Sequence, residues 1–316
     1  MNSLVVNLHG GLGNQLFHYA FAKVLSLKMN RKILLDASEY PRQNPFWQPK
    51  KVRNFELCHF ETKLGILRDK FSLFNELKLT IFNVYFSKFY NNIFYKKRNK
   101  MLNFDPQKSK VLFAPDLYFK SIDEMARNIA QIRYLLKERF WNYTDLRPYK
   151  DEILQDLRLK SLALNGENEA VFARIKSCKN PVAVHIRRGD FLLADFPLNL
   201  SESGYYQNAF RRMKGHFKDA KFFIFSDDKA FMKAHFADKK ECEIVCQNDD
   251  SGVIYDFYLM RACRHFIMAN STLSWWVAFD KNDDDGVIFT PKKWLVGQGS
   301  VGENYAPKQW IRIEIE

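Results

Sequence analysis

The sequence lacks long apolar runs, clustered cysteines and low-complexity segments, and each absence excludes a class of protein. No stretch approaches the ~18 consecutive apolar residues that a membrane-spanning helix needs. The opening Met1–Leu8 segment has neither the basic head nor the long apolar core of a signal peptide. The cysteines, Cys58, Cys178, Cys242, Cys246 and Cys263, are odd in number and contain no CxxC pair, so a structural zinc site is not expected. They read as free thiols in a reducing compartment, which makes the expected location cytoplasmic. No HExxH or EF-hand pattern is present, and nothing in the chain demands a metal or a cofactor. RNP, KH and helix-turn-helix patterns are also missing, which weighs against nucleic acid as a partner.

What is present is ordinary in amount and uneven in distribution. At 316 residues, 47% hydrophobic and 27% charged, the chain suits a globular protein of two domains or one large one. Its net charge of +13 and its 29 phenylalanines suit nucleic acid, an anionic membrane surface or a phosphorylated substrate. Residues 1–150 carry 26 Lys+Arg against 12 Asp+Glu, whereas residues 151–316 carry 23 against 24. The whole excess therefore lies in the first half. Between Lys63 and Lys120 it coincides with a crowd of aromatics from Phe71 to Tyr95, and Phe74, Leu77, Ile81 and Val84 fall at helical spacing. Such a segment suits either a peripheral anionic membrane surface or a helical insertion, at about residues 60–110, packed into its own domain.

Both halves alternate between strand and helix patterns. Ser3–Leu8, a glycine turn, Leu16–Met29 and Lys32–Asp36 form one βαβ unit, and Ser121–Glu124 reads as a capping box. In the second half, strands are expected at 181–186, 221–225, 243–246, 265–269 and 287–289. Helices are expected at 204–217, 229–236, 253–263 and from Leu273. This alternation predicts parallel sheets covered on both faces, with ligands beyond the C-terminal strand ends. The expected domains are 1–150 and 151–316, with the 291–316 tail returning to the first.

Three segments sit where such a fold binds ligands. Val184-His185-Ile186-Arg187-Arg188-Gly189-Asp190 ends a strand, with His185 and Arg187 on one face. Two guanidiniums there suit a diphosphate or a carboxylate, although an Arg pair can also serve salt bridges. His9-Gly10-Gly11-Leu12-Gly13-Asn14-Gln15 opens the first helix, where backbone amides attract phosphate. It fits neither the dinucleotide fingerprint nor a Walker loop, and a tight structural turn reads equally well. Phe225-Ser226-Asp227-Asp228 and Asn270-Ser271-Thr272-Leu273-Ser274-Trp275-Trp276 end two further strands, and their hydroxyls can cap helices or bind phosphate. Gly297–Gly302 matches GxGxxG in a stretch with no helix pattern, and Asp283-Asp284-Asp285 reads as a solvated turn.

Together these residues resemble the α-1,2-fucosyltransferases of glycosyltransferase family 11. Gly10–Phe17 is similar to that family's N-terminal signature, and His185–Asp190 to an HxRRxD element shared with α-1,6- and protein O-fucosyltransferases. Ser226–Asp228 and Ala269–Trp276 resemble two further family elements. The resemblance implies two Rossmann-like domains facing across a cleft (the GT-B arrangement), GDP-β-L-fucose as donor, no metal, and inversion onto the 2-hydroxyl of a galactose in an acceptor glycan. It implies that Arg187 and Arg188 hold the pyrophosphate, that His185 and Asp190 shape that site, and that Asn14, with Gly11 and Gly13, reaches the donor phosphates. Ser226, Asp227, Ser271, Thr272 and Ser274 would complete the pocket. Asp190, His18 and Asp36 are all open as the general base. The alternatives are an α-1,6- or O-fucosyltransferase of the same superfamily, a non-catalytic nucleotide-sugar binder, and a nucleic-acid binder.

Overall fold

The structure is a computed structural model that describes residues 3–37, 40, 53–67, 111–113, 121–128, 134–136, 142–193, 198–249, 252–281, 285–295, 302 and 304–315. The aromatic, basic stretch beyond residue 67, Asp283, Asp284, most of the Gly297–Gly302 segment and the side chain of Asp190 lie outside the described set. The chain forms two compact units. One comprises Met1–His9, His18–Phe55 and Lys63–Phe140; the other comprises Gly10–Phe17, Glu56–Thr62 and Trp141–Glu316.

The first unit is built on a parallel sheet of β1 (Leu4–Asn7), β2 (Ile33–Asp36), β3 (Gly65–Leu67), β4 (Val111–Phe113) and β5 (Tyr134–Leu136), in the order β3-β2-β1-β5-β4. β1 is central, with Leu4 opposite Ile33 and Asn7 opposite Asp36. The helix α1 (Leu12–Met29) joins β1 to β2 and begins four residues before the periodicity predicts. It stops at Asn30, whose φ of 45° is the left-handed turn that ends many helices. The Arg31 amide then reaches back to the Ser26 carbonyl at 3.2 Å. Ser121 caps α2 (Ile122–Asn128) by accepting the Glu124 amide at 3.1 Å, as the capping box predicts.

The second unit carries β6 (Pro181–Ile186), β7 (Lys221–Ser226), β8 (Cys242–Val245), β9 (His265–Ile267), β10 (Ile288–Pro291) and β11 (Ile311–Ile313). All the pairings are parallel, in the order β11-β10-β9-β6-β7-β8. Its helices are α3 (Tyr143–Leu146), α4 (Lys150–Asp156), α5 (Gly166–Ser177), α6 (Tyr205–His216), α7 (Lys229–Phe236), α8 (Val253–Ala262) and α9 (Thr272–Asp280). Every residue of β6 is buried, as a central strand covered on both faces requires. Val182, Val184, Ile186, Phe222 and Ile224 form one core with Tyr205, Ala209 and Met213 of α6 and Met232 of α7. Each such large side chain contributes roughly 1.5–3 kcal/mol by leaving water.

From β6 the chain moves outward through β7 and β8, then returns to build β9, β10 and β11 on the other side. The direction reverses between β6 and β9. In doubly wound sheets that switch point opens a crevice at the C-terminal strand ends, and ligands bind there. β11 extends this second sheet, pairing Phe289 with Ile311. The indole N–H of Trp275 also donates to the Tyr305 carbonyl at 2.6 Å. Among the described residues no helix is long and apolar enough to cross a membrane.

Candidate active site

Four chain segments converge at the switch point of the second unit. β6 delivers Arg187 and Arg188, β7 delivers Ser226, Asp227 and Asp228, and the turn after β9 delivers Ser271, Thr272 and Ser274. The glycine loop at residues 10–14 supplies Asn14. That loop groups with the second unit although it is far away in sequence.

Asp227 organises the end of β6. Its Oδ2 lies 2.7 Å from Arg187 Nη1, and its Oδ1 accepts the Arg188 amide at 2.9 Å. Gly189 packs so closely that a Cβ there would meet Asp227 Oδ2 at 2.3 Å. The Arg187 side chain is 17% exposed, shielded enough to be fixed and open enough to be reached. Its guanidinium carbon also lies 5.7 Å from the Phe191 ring centre.

Arg188 has a different job. Its Nε donates to Asp228 Oδ2 at 3.0 Å, its Nη1 donates to Ser201 Oγ, and its guanidinium carbon sits 4.1 Å from the Phe231 ring centre. Asp228 caps α7 by accepting the Phe231 amide at 2.9 Å. That bond, with help from Arg188, holds the Asp228 carboxyl below its usual range. Ser226 Oγ accepts the Asp228 amide at 3.1 Å. Through these contacts the second arginine joins β6, α7 and the turn around Ser201.

The start of α9 is the other wall. Ser271 caps it, accepting the Leu273 amide at 3.2 Å. Thr272 Oγ1 donates to Asn14 Oδ1 at 2.8 Å. Gly13 lies flat against this turn, since a Cβ would stand 2.4 Å from the Leu273 nitrogen and 2.6 Å from Thr272 Oγ1. Gly10 has φ +78° and would place a Cβ 2.4 Å from Asn14 Nδ2. The glycines therefore serve close approach and, at Gly10, a left-handed turn. Gln15, fully buried, fastens the loop by donating to the Gly10 carbonyl at 3.1 Å and accepting the Glu56 amide at 2.8 Å.

His185 lies beneath these groups. Its Nδ1 is 2.5 Å from Ser274 Oγ, and its carbonyl accepts the Tyr206 hydroxyl at 2.8 Å. Burial, reinforced by the nearby Arg187 charge, pushes its pKa down to about 4, so the ring is neutral at pH 7. Trp275 and Trp276 are core residues, each 2% exposed. Phe17 packs on both, at 4.6 and 5.1 Å between ring centres. His265 is structural, for its Nδ1 accepts the Val287 amide at 3.0 Å. Asp190 lies in a short 3-10 turn, Gly189–Leu193. His18 and Asp36 are fully buried in the first unit, with the His18 ring tilted against that of His9 at 4.2 Å between centres.

Two acidic groups escape sequence reasoning. Glu56 is 3% exposed, and burial lifts its carboxyl to about 7; no local pattern marks it. Asp256 on α8 is lifted by burial to about 6 and accepts Asn248 Nδ2 at 2.7 Å. Asn248 and Gln247 in turn donate to Asn168 Oδ1 at 3.1 and 2.8 Å, a network assembled from residues about 80 positions apart.

A fixed guanidinium, the positive end of a helix, a carboxamide and a neutral imidazole at one strand end can hold a phosphate group. They can also stabilise negative charge that develops on it. The model of glycosyl transferase family 11 matches residues 138–314, the stretch that carries three of these four segments. The chain belongs to that family. As a family 11 glycosyltransferase it is 28% identical, over 99% of its own length and 100% of the relative's, to an α-1,2-colitosyltransferase of Escherichia coli. It is 25% identical, over 97% and 99%, to the O-antigen biosynthesis glycosyltransferase WbnK of the same organism. Among solved structures, NodZ α-1,6-fucosyltransferase soaked with GDP-fucose matches with a TM-score of 0.50 and 14% identity, over 88% of this chain and 92% of that one. POFUT1 in complex with GDP-fucose matches equally, at 0.50 and 14%, over 89% and 95%. At that identity the likeness is one of α/β fold and parallel sheets.

Proposed function

We propose that this family 11 enzyme moves L-fucose from GDP-β-L-fucose to the 2-hydroxyl of a galactose in an oligosaccharide or lipid-linked glycan, with inversion to an α-1,2 linkage. The observation that carries the reading is Arg187, held by Asp227 at the switch point of a 3-2-1-4-5-6 sheet beside the start of α9. In the reaction the bond from the fucose anomeric carbon to the β-phosphate oxygen breaks as the acceptor oxygen bonds to the opposite face. The electron pair leaves on GDP, and the acceptor hydroxyl proton passes to a base or to water. Arg187, Asn14, the α9 amides and His185 stabilise the leaving diphosphate. Arg188, Asp190, Ser226, Ser271, Thr272, Ser274, Gly11 and Gly13 shape the pocket around it. The GT-B arrangement belongs to the same reading, as do a galactose-containing acceptor and a peripheral position at an anionic membrane surface.

A second donor has specific support. The colitosyltransferase relative acts with a sugar that is L-fucose without its 3-hydroxyl, so GDP-colitose is the natural competitor. The test is an acceptor array incubated with each donor, followed by linkage analysis of the product. Fucose on O2 of galactose upholds the proposal. Turnover with GDP-colitose alone reassigns the donor, and a product linked elsewhere removes the α-1,2 reading.

A further inference from the structure

Ser274 is fully buried, so its hydroxyl is a poor ligand for a donor sugar, and its bonds point inward. Its Oγ accepts the Ala269 amide at 3.1 Å and lies 2.5 Å from His185 Nδ1. The hydroxyl proton has no other acceptor among the described residues. In a dry interior, a hydroxyl that already accepts an N–H gives its own proton to the one acceptor in reach. That acceptor is Nδ1. In a neutral imidazole the remaining proton must then sit on Nε2.

We propose that Ser274 is a positioning residue that locks His185 in its Nε2–H tautomer, making the ring a hydrogen-bond donor beside Arg187 rather than a proton acceptor. Three further observations agree. His185 Nε2 has no partner among the described residues and is not one of the sealed, unsatisfied polar atoms. Arg187, one residue beyond the end of β6, stands close enough for its charge to act on His185. The Tyr206 hydroxyl holds the His185 carbonyl at 2.8 Å, so backbone and ring are both fixed. The ligand atom served is an oxygen that accepts, such as that of a diphosphate. This rests on the donor reading above.

The test uses the full chain with ¹⁵N-labelled histidine, and His185→Gln identifies the resonance. Long-range ¹H–¹⁵N spectra should show one fixed Nε2–H tautomer for His185 at neutral pH; an Nδ1–H form or a mixture overturns the proposal. Ser274→Ala should release the tautomer, but it also deprives the Ala269 amide of its acceptor. A second pair therefore guards against misfolding. His185→Gln carries an N–H near the ε position and His185→Asn near the δ position. The Gln variant should keep at least about tenfold more kcat than the Asn variant, the weight of one hydrogen bond. Equal losses would overturn the assignment. A fixed Nε2–H tautomer that ignores added GDP upholds the role of Ser274 and overturns the GDP reading.

Discussion

Asp227 Oδ2 sits 2.7 Å from Arg187 Nη1, and the two side chains come from adjacent strand ends 40 residues apart in sequence. One carboxylate thereby aims one guanidinium. If Arg187 stabilises the leaving diphosphate, Arg187→Ala should lower kcat by about 10²–10³-fold, the usual cost of removing a transition-state donor. Arg187→Lys should recover little, since a point charge does not replace a planar fork. Steady-state transfer from GDP-fucose, with circular dichroism confirming the fold, checks this. Near-normal turnover in a folded Arg187→Ala protein would remove the site assignment.

The neighbouring arginine should behave oppositely. Arg188 bonds Asp228 and Ser201 and covers the Phe231 ring, so Arg188→Ala should cost about 2 kcal/mol or more of stability. Urea melts of the two Ala variants separate the roles: the midpoint should fall clearly for position 188 and little for position 187.

Gly13 and Gly215 make a matched pair. A Cβ at Gly13 would strike the Leu273 nitrogen at 2.4 Å, whereas nothing lies within 4 Å of one at Gly215. Gly13→Ala should therefore push the loop off the start of α9 and lower both melting temperature and turnover. Gly215→Ala, inside α6, should be neutral or stabilising by about 0.5–1 kcal/mol. Equal melting temperatures for the two variants would argue against close packing of the loop.

Glu56 should leave a signature in the pH dependence of stability. Burial raises its carboxyl from 4.5 to about 7, so the folded chain holds this proton more tightly than the unfolded one. Its contribution is fully present below about pH 4.5 and is lost as pH rises towards 7. Glu56→Gln should melt like the parent at pH 4 and higher than the parent at pH 8. A variant less stable at both would show that the carboxyl serves the fold in its ionised form.

The local half of this structure is legible in the chain. β6 runs from Pro181 to Ile186 and α7 from Lys229 to Phe236, as their patterns predict, because periodicity and caps are set by residues within one turn of each other. α5 escaped because its exposed face carries Glu167, Glu169, Arg174 and Lys176, which dilute the apolar spacing of Val171 and Ile175. β11 escaped because three residues are too few to carry a period. The site's residue types were legible too: the arginine pair, the SDD turn and the NSTLS segment all stand at strand ends.

What each of those residues does was decided only by tertiary contact. Sequence alone treats Arg187 and Arg188 as equals; the fold ties one to Asp227 and the other to Asp228, Ser201 and Phe231. It treats Ser271, Thr272 and Ser274 as three similar hydroxyls, yet they cap a helix, bind Asn14 and face His185. The Thr272–Asn14 bond spans 258 residues, a separation across which no local pattern carries information. Strand and helix follow from neighbours along the chain, so the sequence by itself determined the layered α/β plan. Hydrogen-bond partners and burial follow from neighbours in space, so only the folded chain decided which of these groups bond to one another.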